Sequence, residues 1–360
     1  LKSKGLFKKV EKKIFNGSSD EQKIIEIGVE EKPTGEISLG AGTGTSGTSI
    51  GGGIRENNFL GKGITLDSNL TVSDTSIKGQ FIYTRPNFMY SDNTLFTRLE
   101  STSTDNLKNF GYKTSDFGFG IGTKFEQYEN FFFSPEVQLS HEKLTTTSKA
   151  SNNLKKQEGS YSDLYINYNI DYDLRDRKYK PTGGFRNVFA QELPVFSENM
   201  ELINSFESSK YFSFAPEMST KLSVFFKTAH GLSDDVRISK RVFVPSSKLR
   251  GFEYKKIGPK DGSDYVGGNY LSTVNFTTNI PQLLPTLETL DFNYFIDAAN
   301  VWGMDYDTSM DDRSKVRTST GLAMDWLTPI GPLSFSFAKP ITKHKTDQTE
   351  TFRFNIGTTF

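Results

Sequence analysis

The chain has 360 residues, with 43 Lys+Arg against 43 Asp+Glu, so its net charge is zero. That balance excludes the basic excess on which nucleic-acid binding depends, and no nucleic-acid partner is expected. There is no cysteine, which excludes disulfide frameworks, zinc–cysteine sites and thiol catalysis. No run of about 18 apolar residues is present, which excludes membrane-spanning helices. Aromatics make up 13% of a chain that is only 35% hydrophobic. Strands whose alternate side chains face lipid and water give that combination.

Leu1–Lys9 is basic and polar, without the apolar stretch of a signal peptide. Leu1–Phe7 reads as a helix end closed by Gly5. Lys9–Phe15 and Lys23–Glu30 read as two strands around the turn at Asn16–Ser19. A helix and a hairpin of this size bury too little to fold alone. Residues 1–34 are therefore expected to be the tail of a domain that begins upstream, with a boundary near Pro33–Gly35.

From Gly35 onward the period is two. Leu164, Ile166, Tyr168 and Ile170 alternate with Tyr165, Asn167, Asn169 and Asp171. Leu222, Val224 and Phe226 alternate with Ser223, Phe225 and Lys227. Leu290, Phe292, Tyr294 and Ile296 alternate with Asp291, Asn293, Phe295 and Asp297. Leu333, Phe335 and Phe337 alternate with Ser334, Ser336 and Ala338. In the last segment Phe352, Phe354, Ile356 and Phe360 share one parity, with Arg353, Asn355, Gly357 and Thr359 on the other. A soluble sandwich and a membrane barrel both give this alternation; in a barrel the apolar face meets lipid and the polar face lines a wet lumen. About sixteen such segments fit between Gly35 and Phe360, an even number, as bacterial barrels have. Each then has about 20 residues for strand and connection, enough for the roughly 9–11 that span a bilayer. Pro181–Gly184 and Thr328–Gly331 read as tight turns, and Gly231–Gly267 as a much longer loop. The expected fold is all-β: a 16-stranded antiparallel transmembrane β-barrel behind a short α+β remnant.

Several stretches are specific in their order. They are Glu31-Lys-Pro-Thr-Gly35, Glu56-Asn-Asn-Phe-Leu-Gly61, Leu249-Arg250-Gly251-Phe252, Ile257-Gly258-Pro259 and Val266-Gly267-Gly268-Asn269. Phe295-Ile-Asp297-Ala-Ala-Asn300-Val-Trp302, Trp326–Leu333 and Phe352–Phe360 follow. In this order they resemble the BamA family of outer-membrane protein assembly factors, over nearly the whole chain. The resemblance implies that residues 1–34 end the last periplasmic POTRA domain and that 35–360 form the barrel. It implies a bacterial outer-membrane location with the N-terminal part in the periplasm, no enzymatic step, no cofactor and no metal. Its implied partners are unfolded outer-membrane proteins as substrates, periplasmic accessory lipoproteins, periplasmic chaperones, and outer-membrane lipid and lipopolysaccharide.

The same resemblance implies a lateral gate where the first and last strands pair poorly. The first strand supplies a physical reason. Along Ile37, Ser38, Leu39, Gly40, Ala41, Gly42, Thr43 and Gly44, the three glycines fall on one parity. Glycine weakens a strand interior and loosens its register. Gly357 does the same in the last strand, whose gate residues are Phe352, Phe354, Asn355, Gly357 and Phe360. An open strand edge is a template for another strand. In the family it receives the C-terminal strand of an incoming barrel protein.

The resemblance also implies that Arg250, Gly251 and Phe252 tuck into the lumen, with Arg250 on Asp297. A confined bidentate pair of this kind is strong. Two positions depart from the family. Asn275 stands where a glutamate is common, which would leave Arg250 a neutral second acceptor. Ala299 stands where a glycine is usual. Purely structural plugging by Arg250 is an equal reading.

Other motifs carry bland readings. Gly42-Thr-Gly-Thr-Ser-Gly47 has dinucleotide-fingerprint spacing but lacks the helix such a site needs after it. Asp171, Asp173 and Asp176 lack the glycine and glutamate of a calcium loop. His141, His230 and His344 share no metal spacing, and loop or lumen positions are the default. The aromatics read as lipid contacts and interfacial girdles. Competing functions are a polypeptide-exporting or autotransporter-assembly barrel of the same superfamily, and a passive porin-like channel. A channel would want a stiff seam and charged constriction rings.

Overall fold

Strict alternation needs partners on both sides of each strand, and closure into a cylinder supplies them without leaving a long edge. A computed structural model describes residues 6–19, 21–45, 47–178, 180–215, 218–262, 264–281, 289–305, 310–328 and 331–357. Two strands come first, β1 (Phe7–Asn16) and β2 (Lys23–Glu31), paired antiparallel. Ile14, Phe15, Ile24, Ile25, Ile27 and Val29 are all exposed on this hairpin. The helix expected over Leu1–Gly5 lies outside the described residues, and Phe7 already belongs to β1, so the described part of the remnant is strand alone.

At the join, the backbone N–H and side-chain amide of Asn57 both donate to the Thr34 carbonyl at 3.2 Å. The barrel then runs through β3 (Gly35–Gly44), β4 (Gly47–Phe59), β5 (Ile64–Ser73), β6 (Ser76–Arg85), β7 (Thr94–Asn106), β8 (Tyr112–Tyr128), β9 (Phe131–Thr146) and β10 (Gly159–Asp173). It continues through β11 (Gly184–Ser197), β12 (Glu201–Phe212) and β13 (Thr220–Gly231). Two short strands, β14 (Lys260–Asp261) and β15 (Asp264–Tyr265), pair inside the long loop. The wall resumes at β16 (Tyr270–Asn279), β17 (Leu290–Trp302), β18 (Arg317–Thr328), β19 (Gly331–Thr342) and β20 (Phe352–Gly357). β20 pairs with β3, which closes an antiparallel barrel of sixteen strands. Two short helices, α1 (Leu107–Phe110) and α2 (Asn152–Lys156), sit in connections. No helix among the described residues is long and apolar enough to cross a membrane.

Strand parity decides what each side chain meets. Leu222 and Phe226 face outward and are exposed, while Ser223 points inward and is buried. Ile296 faces outward, whereas Phe295 and Asp297 point inward and are fully buried. The apolar belt is therefore the outer surface, and the buried core lies in the lumen.

The turns after β10 and β18 lie at the end where the hairpin attaches, and the long loop lies at the other. The asymmetry is not complete. The long-loop end also carries the tight turns joining β3 to β4 and β5 to β6, beside the seam. Two histidines differ from expectation. His141 and His230 are on outward positions of β9 and β13, neither in a loop nor in the lumen. His141 Nδ1 lies 2.9 Å from Ser162 Oγ on the outer wall, and His230 meets the edge of Tyr270.

An outward position at mid-wall tolerates no charge. Phe226→Arg should lower the unfolding free energy in lipid bilayers by about 2–4 kcal/mol. Ser334→Arg, on the inward face beside Asp325, should cost less than about 1 kcal/mol. Denaturant titration in vesicles measures both, and equal costs would contradict the assigned faces.

Candidate functional site

After β13 the chain turns back into the barrel instead of crossing to β16. Residues 232–269 bury Val236, Ile238, Val242, Val244, Leu249, Phe252 and Ile257. Val242 and Gly268 exchange backbone hydrogen bonds at 2.8 and 2.9 Å, which draws the loop's two arms together. A turn closed by Lys248 N–H on the Pro245 carbonyl presents Arg250 to β17.

Arg250 forks onto Asp297. Its Nε donates to Oδ2 and its Nη2 to Oδ1, both at 2.8 Å, and its backbone N–H adds a third bond at 3.1 Å. The guanidinium carbon lies 3.5 Å from the centroid of the Phe295 ring. Thr277 Oγ1 accepts from Nη2 at 3.3 Å, and Ser319 Oγ donates to the Arg250 carbonyl at 2.5 Å. Three neighbouring strands thus hold one residue. A planar guanidinium suits this because it binds the carboxylate bidentately and stacks on a ring at the same time.

Asn275 has a different role from the one its position suggests. It does not accept from Arg250. Its Nδ2 donates to Asp297 Oδ1 at 2.8 Å and to the Lys248 carbonyl at 2.7 Å. The amide therefore satisfies the aspartate and ties down the turn before Arg250. Ala299, opposite Thr273 in the β16–β17 ladder, is buried among the loop's apolar residues.

Gly251 takes φ +89°, a left-handed conformation that favours glycine. A Cβ there would lie 3.1 Å from the Ala338 Cβ and 3.5 Å from the Ser319 Cβ. The missing side chain lets the loop backbone rest directly on the wall. Phe252 then fills the apolar cluster of Val242, Val244, Leu249, Ile257, Leu271 and Val301.

Three cations missed by sequence reasoning complete the loop's attachment. Arg237 is fully buried and forks onto Glu201 at 2.8 and 2.6 Å, with Asp163 at 2.8 Å and Glu142 at 3.4 Å. Burial works against its charge, but the Glu201, Asp163 and Glu142 carboxylates outweigh that and hold its pKa above the usual guanidinium value. Lys248 Nζ reaches Glu207 at 2.5 Å. Arg353, on β20, reaches the loop from the seam side. The available signal was parity: Glu142, Asp163, Glu201 and Arg353 all fall on inward positions. The acidic run at the end of β10 is used locally, with Asp171 on Arg186, Asp173 on Arg175, and Asp176 accepting from Thr182.

The seam is the other assembled feature. Among the described residues, β20 and β3 share three ladder pairs, Asn355↔Gly44, Ile356↔Thr43 and Gly357↔Gly42. The β9–β10 ladder runs from Gly159↔Leu144 to Tyr172↔Phe131, and the shorter β5–β6 ladder from Thr65↔Thr84 to Val72↔Ile77. Ile37 and Leu39 are 79% and 86% exposed, below the pairs formed with the described part of β20. Ser38 Oγ donates to the Gly53 carbonyl at 3.4 Å, on the side away from the seam. Gly40 lies opposite Gly51, so two side chains are missing from the inner face there. A Cβ on Gly44 would overlap the Phe354 carbonyl and Asn355 Oδ1, so the last strand approaches the first where no side chain stands. Phe352 packs outside against Phe337, 4.8 Å between centroids, and stacks on Phe354 at 5.9 Å. Phe360 lies outside the described residues.

Asp297→Ala leaves a guanidinium in the lumen without its carboxylate. It should cost about 3–5 kcal/mol of unfolding free energy and expose residues 232–269 to proteolysis. Asn275→Ala removes one hydrogen bond to that carboxylate, which should cost about 1.5–3 kcal/mol, and one neutral bond to the Lys248 carbonyl, which should cost nearer 1 kcal/mol. Denaturation in lipid with limited proteolysis reads both. A loop that stays protected in Asp297→Ala would contradict the anchoring role.

Comparison with known proteins follows the same features. The Omp85 superfamily domain matches residues 58–360. The outer membrane protein assembly factor BamA of Neorickettsia risticii (strain Illinois) is 24% identical over 94% of this chain and 46% of its own. The chain spans about half the length of the curated relatives it matches. Among solved structures, BamA from Haemophilus ducreyi lacking POTRA domains 1–3 superposes with a TM-score of 0.89 at 26% identity, over 99% of this chain and 76% of the other. CdiB from Acinetobacter baumannii, with a TM-score of 0.60 at 10% identity over 98% and 66%, shares the fold alone. With the superfamily domain matched over most of its length and the barrel superposing on a solved member's, this chain belongs to the Omp85 superfamily of outer-membrane proteins.

Proposed function

We propose that this barrel is an outer-membrane insertase. It folds and inserts other outer-membrane proteins by offering strand β3 as a template at a lateral gate between β3 and β20. The carrying observation is the glycine-lined first strand: Gly40, Gly42 and Gly44 leave β3 without inward side chains, and the described part of β20 meets it at Gly44, Thr43 and Gly42. A strand edge that is partly free binds an incoming strand through backbone hydrogen bonds, so the template reads strand geometry more than side-chain sequence. No covalent step or cofactor is required. On this reading residues 1–34 end a periplasmic POTRA domain, and residues 35–360 are the membrane barrel. The partners are unfolded outer-membrane proteins, delivered by periplasmic chaperones and handled with accessory lipoproteins, in a membrane of lipid and lipopolysaccharide. The names of the curated relatives, as assembly factors, favour this reading over the others.

Export of a polypeptide through the lumen, or passive conduction, fits less well. The described part of residues 232–269 occupies the upper lumen and is held by a buried charged pair at Arg237 and a part-buried one at Arg250. Opening a through-path would break both.

The chain lacks native thiols, so single introduced cysteines report cleanly. Leu39→Cys or Ser38→Cys should form a disulfide in membranes with a cysteine in the final strand of a stalled barrel substrate. Trapping should occur in one register and vanish when the substrate cysteine is shifted by one residue. Absence of trapping in every register, while a Thr43→Cys/Ile356→Cys pair crosslinks readily across the seam of the same barrel, would sink the templating mechanism.

A further inference from the structure

The seam is short in its ladder, yet it is not held by the ladder alone. β20 carries one inward cation, Arg353, whose side chain is 10% exposed. Its Nη1 donates to the Ser246 carbonyl and its Nη2 to the Phe252 carbonyl, both at 2.7 Å, and its Nε donates to Glu350. Both carbonyls belong to the lumen loop, on either side of Arg250.

The segment leading into β20 is stitched to the same stretch of loop. Glu350 N–H donates to the Gly251 carbonyl at 3.2 Å. Glu253 N–H donates to the Gln348 carbonyl, and Gln348 N–H to the Lys256 carbonyl, both at 3.0 Å. Tyr265 donates its hydroxyl proton to the Thr346 carbonyl. Asp347 is forked by the buried Arg317 of β18, at 3.0 Å on both arms.

These contacts form one continuous chain. It runs from Asp297 on β17 to Arg250, along the backbone through Gly251 and Phe252, to Arg353 on β20, and so to the seam. If β20 leaves β3 while the loop stays in place, Arg353 must give up both carbonyls, that of Phe252 in a buried contact. If the loop shifts first, those carbonyls shift with it and the restraint is lost. Buried donors and acceptors left unpaired are costly, so such a contact holds two elements in step.

We propose that Arg353 is a positioning residue that couples the lumen loop to the last strand, so that the resting place of residues 246–256 sets how readily the seam between β20 and β3 separates. This rests on reading that seam as the gate. Arg353 does not meet a substrate; it acts through the loop carbonyls it grips.

The test reads the seam itself. Spin labels on Thr43→Cys and Ile356→Cys, paired across the seam, report the ratio of separated to paired strands in lipid by dipolar broadening. In Arg353→Met that ratio should rise about tenfold, the scale of one lost charge-assisted hydrogen bond. Arg353→Lys, which keeps the charge but not the fork, should fall between. Arg250→Met should raise the ratio as well, and the double variant should exceed the larger single effect little, because both act through one chain of contacts. An unchanged ratio in Arg353→Met, or fully additive effects, would overturn the proposal. If Arg353→Met does not fold, Arg353→Lys and Arg353→Gln carry the same comparison. The readout needs no substrate. A seam that loosens in a protein that traps no substrate strand keeps the coupling and removes the insertase reading. Substrate trapping with a seam indifferent to Arg353 does the reverse.

Discussion

The bidentate contact between Arg250 and Asp297 fixes where the lumen loop rests, and the rest of the interior is arranged around that position. A guanidinium among inward wall residues is stable only with a carboxylate at hand and its other donors satisfied. Phe295, Thr277, Ser319 and Asn275 supply the ring, the acceptor and the hydrogen bonds that complete the contact. Gly251 then lets the backbone lie against β18 and β19, and Phe252 closes an apolar cluster over it. Arg237 grips a separate arc, on β9, β10 and β12. One loop therefore has two ionic attachments to the wall, one buried at Arg237 and one part-buried at Arg250, and occupies the upper interior of the barrel.

Against that braced interior stands a seam with little of its own. Six residues of β20 are described, and three of them pair with β3, at Gly44, Thr43 and Gly42. Glycines on the inner parity of β3 and β4 remove the cross-strand pairs that normally reinforce a sheet. The contacts that do secure β20 come largely from inside, through Arg353 and the connector before it.

Much of this was legible in the sequence, for a physical reason. Period-two alternation is a local property, so the strands, their number and their outward faces follow from neighbours in the chain. Leu222 and Phe226 against Ser223, or Ile296 against Asp297, needed no tertiary information. The Arg250–Asp297 contact came from family resemblance and not from spacing, because the two residues are 47 apart in sequence and on different elements. What was missed is of the same kind. Glu142, Asp163 and Glu201 are unremarked acids on three separate strands, and only closure of the barrel gathers them around Arg237. Asn275 was read as a weak acceptor for Arg250. It acts as a donor to Asp297, a distinction of geometry that composition does not contain. The two wall histidines were misplaced because histidine was assigned by type, whereas their parity, shared with Leu139 and Phe226, already pointed outward.

The central claim is that the β20–β3 line is the weakest part of the wall while the loop behind it is firmly held. Amide hydrogen exchange of the protein in lipid bilayers tests it most directly, since protection tracks the local opening free energy. The account predicts that amides of β20 and of Ile37–Ala41 exchange much faster than those of β8, β9 and β10, while the Arg250–Phe252 backbone stays protected. Uniform protection around the barrel, or a loop that exchanges as fast as the seam, would contradict it.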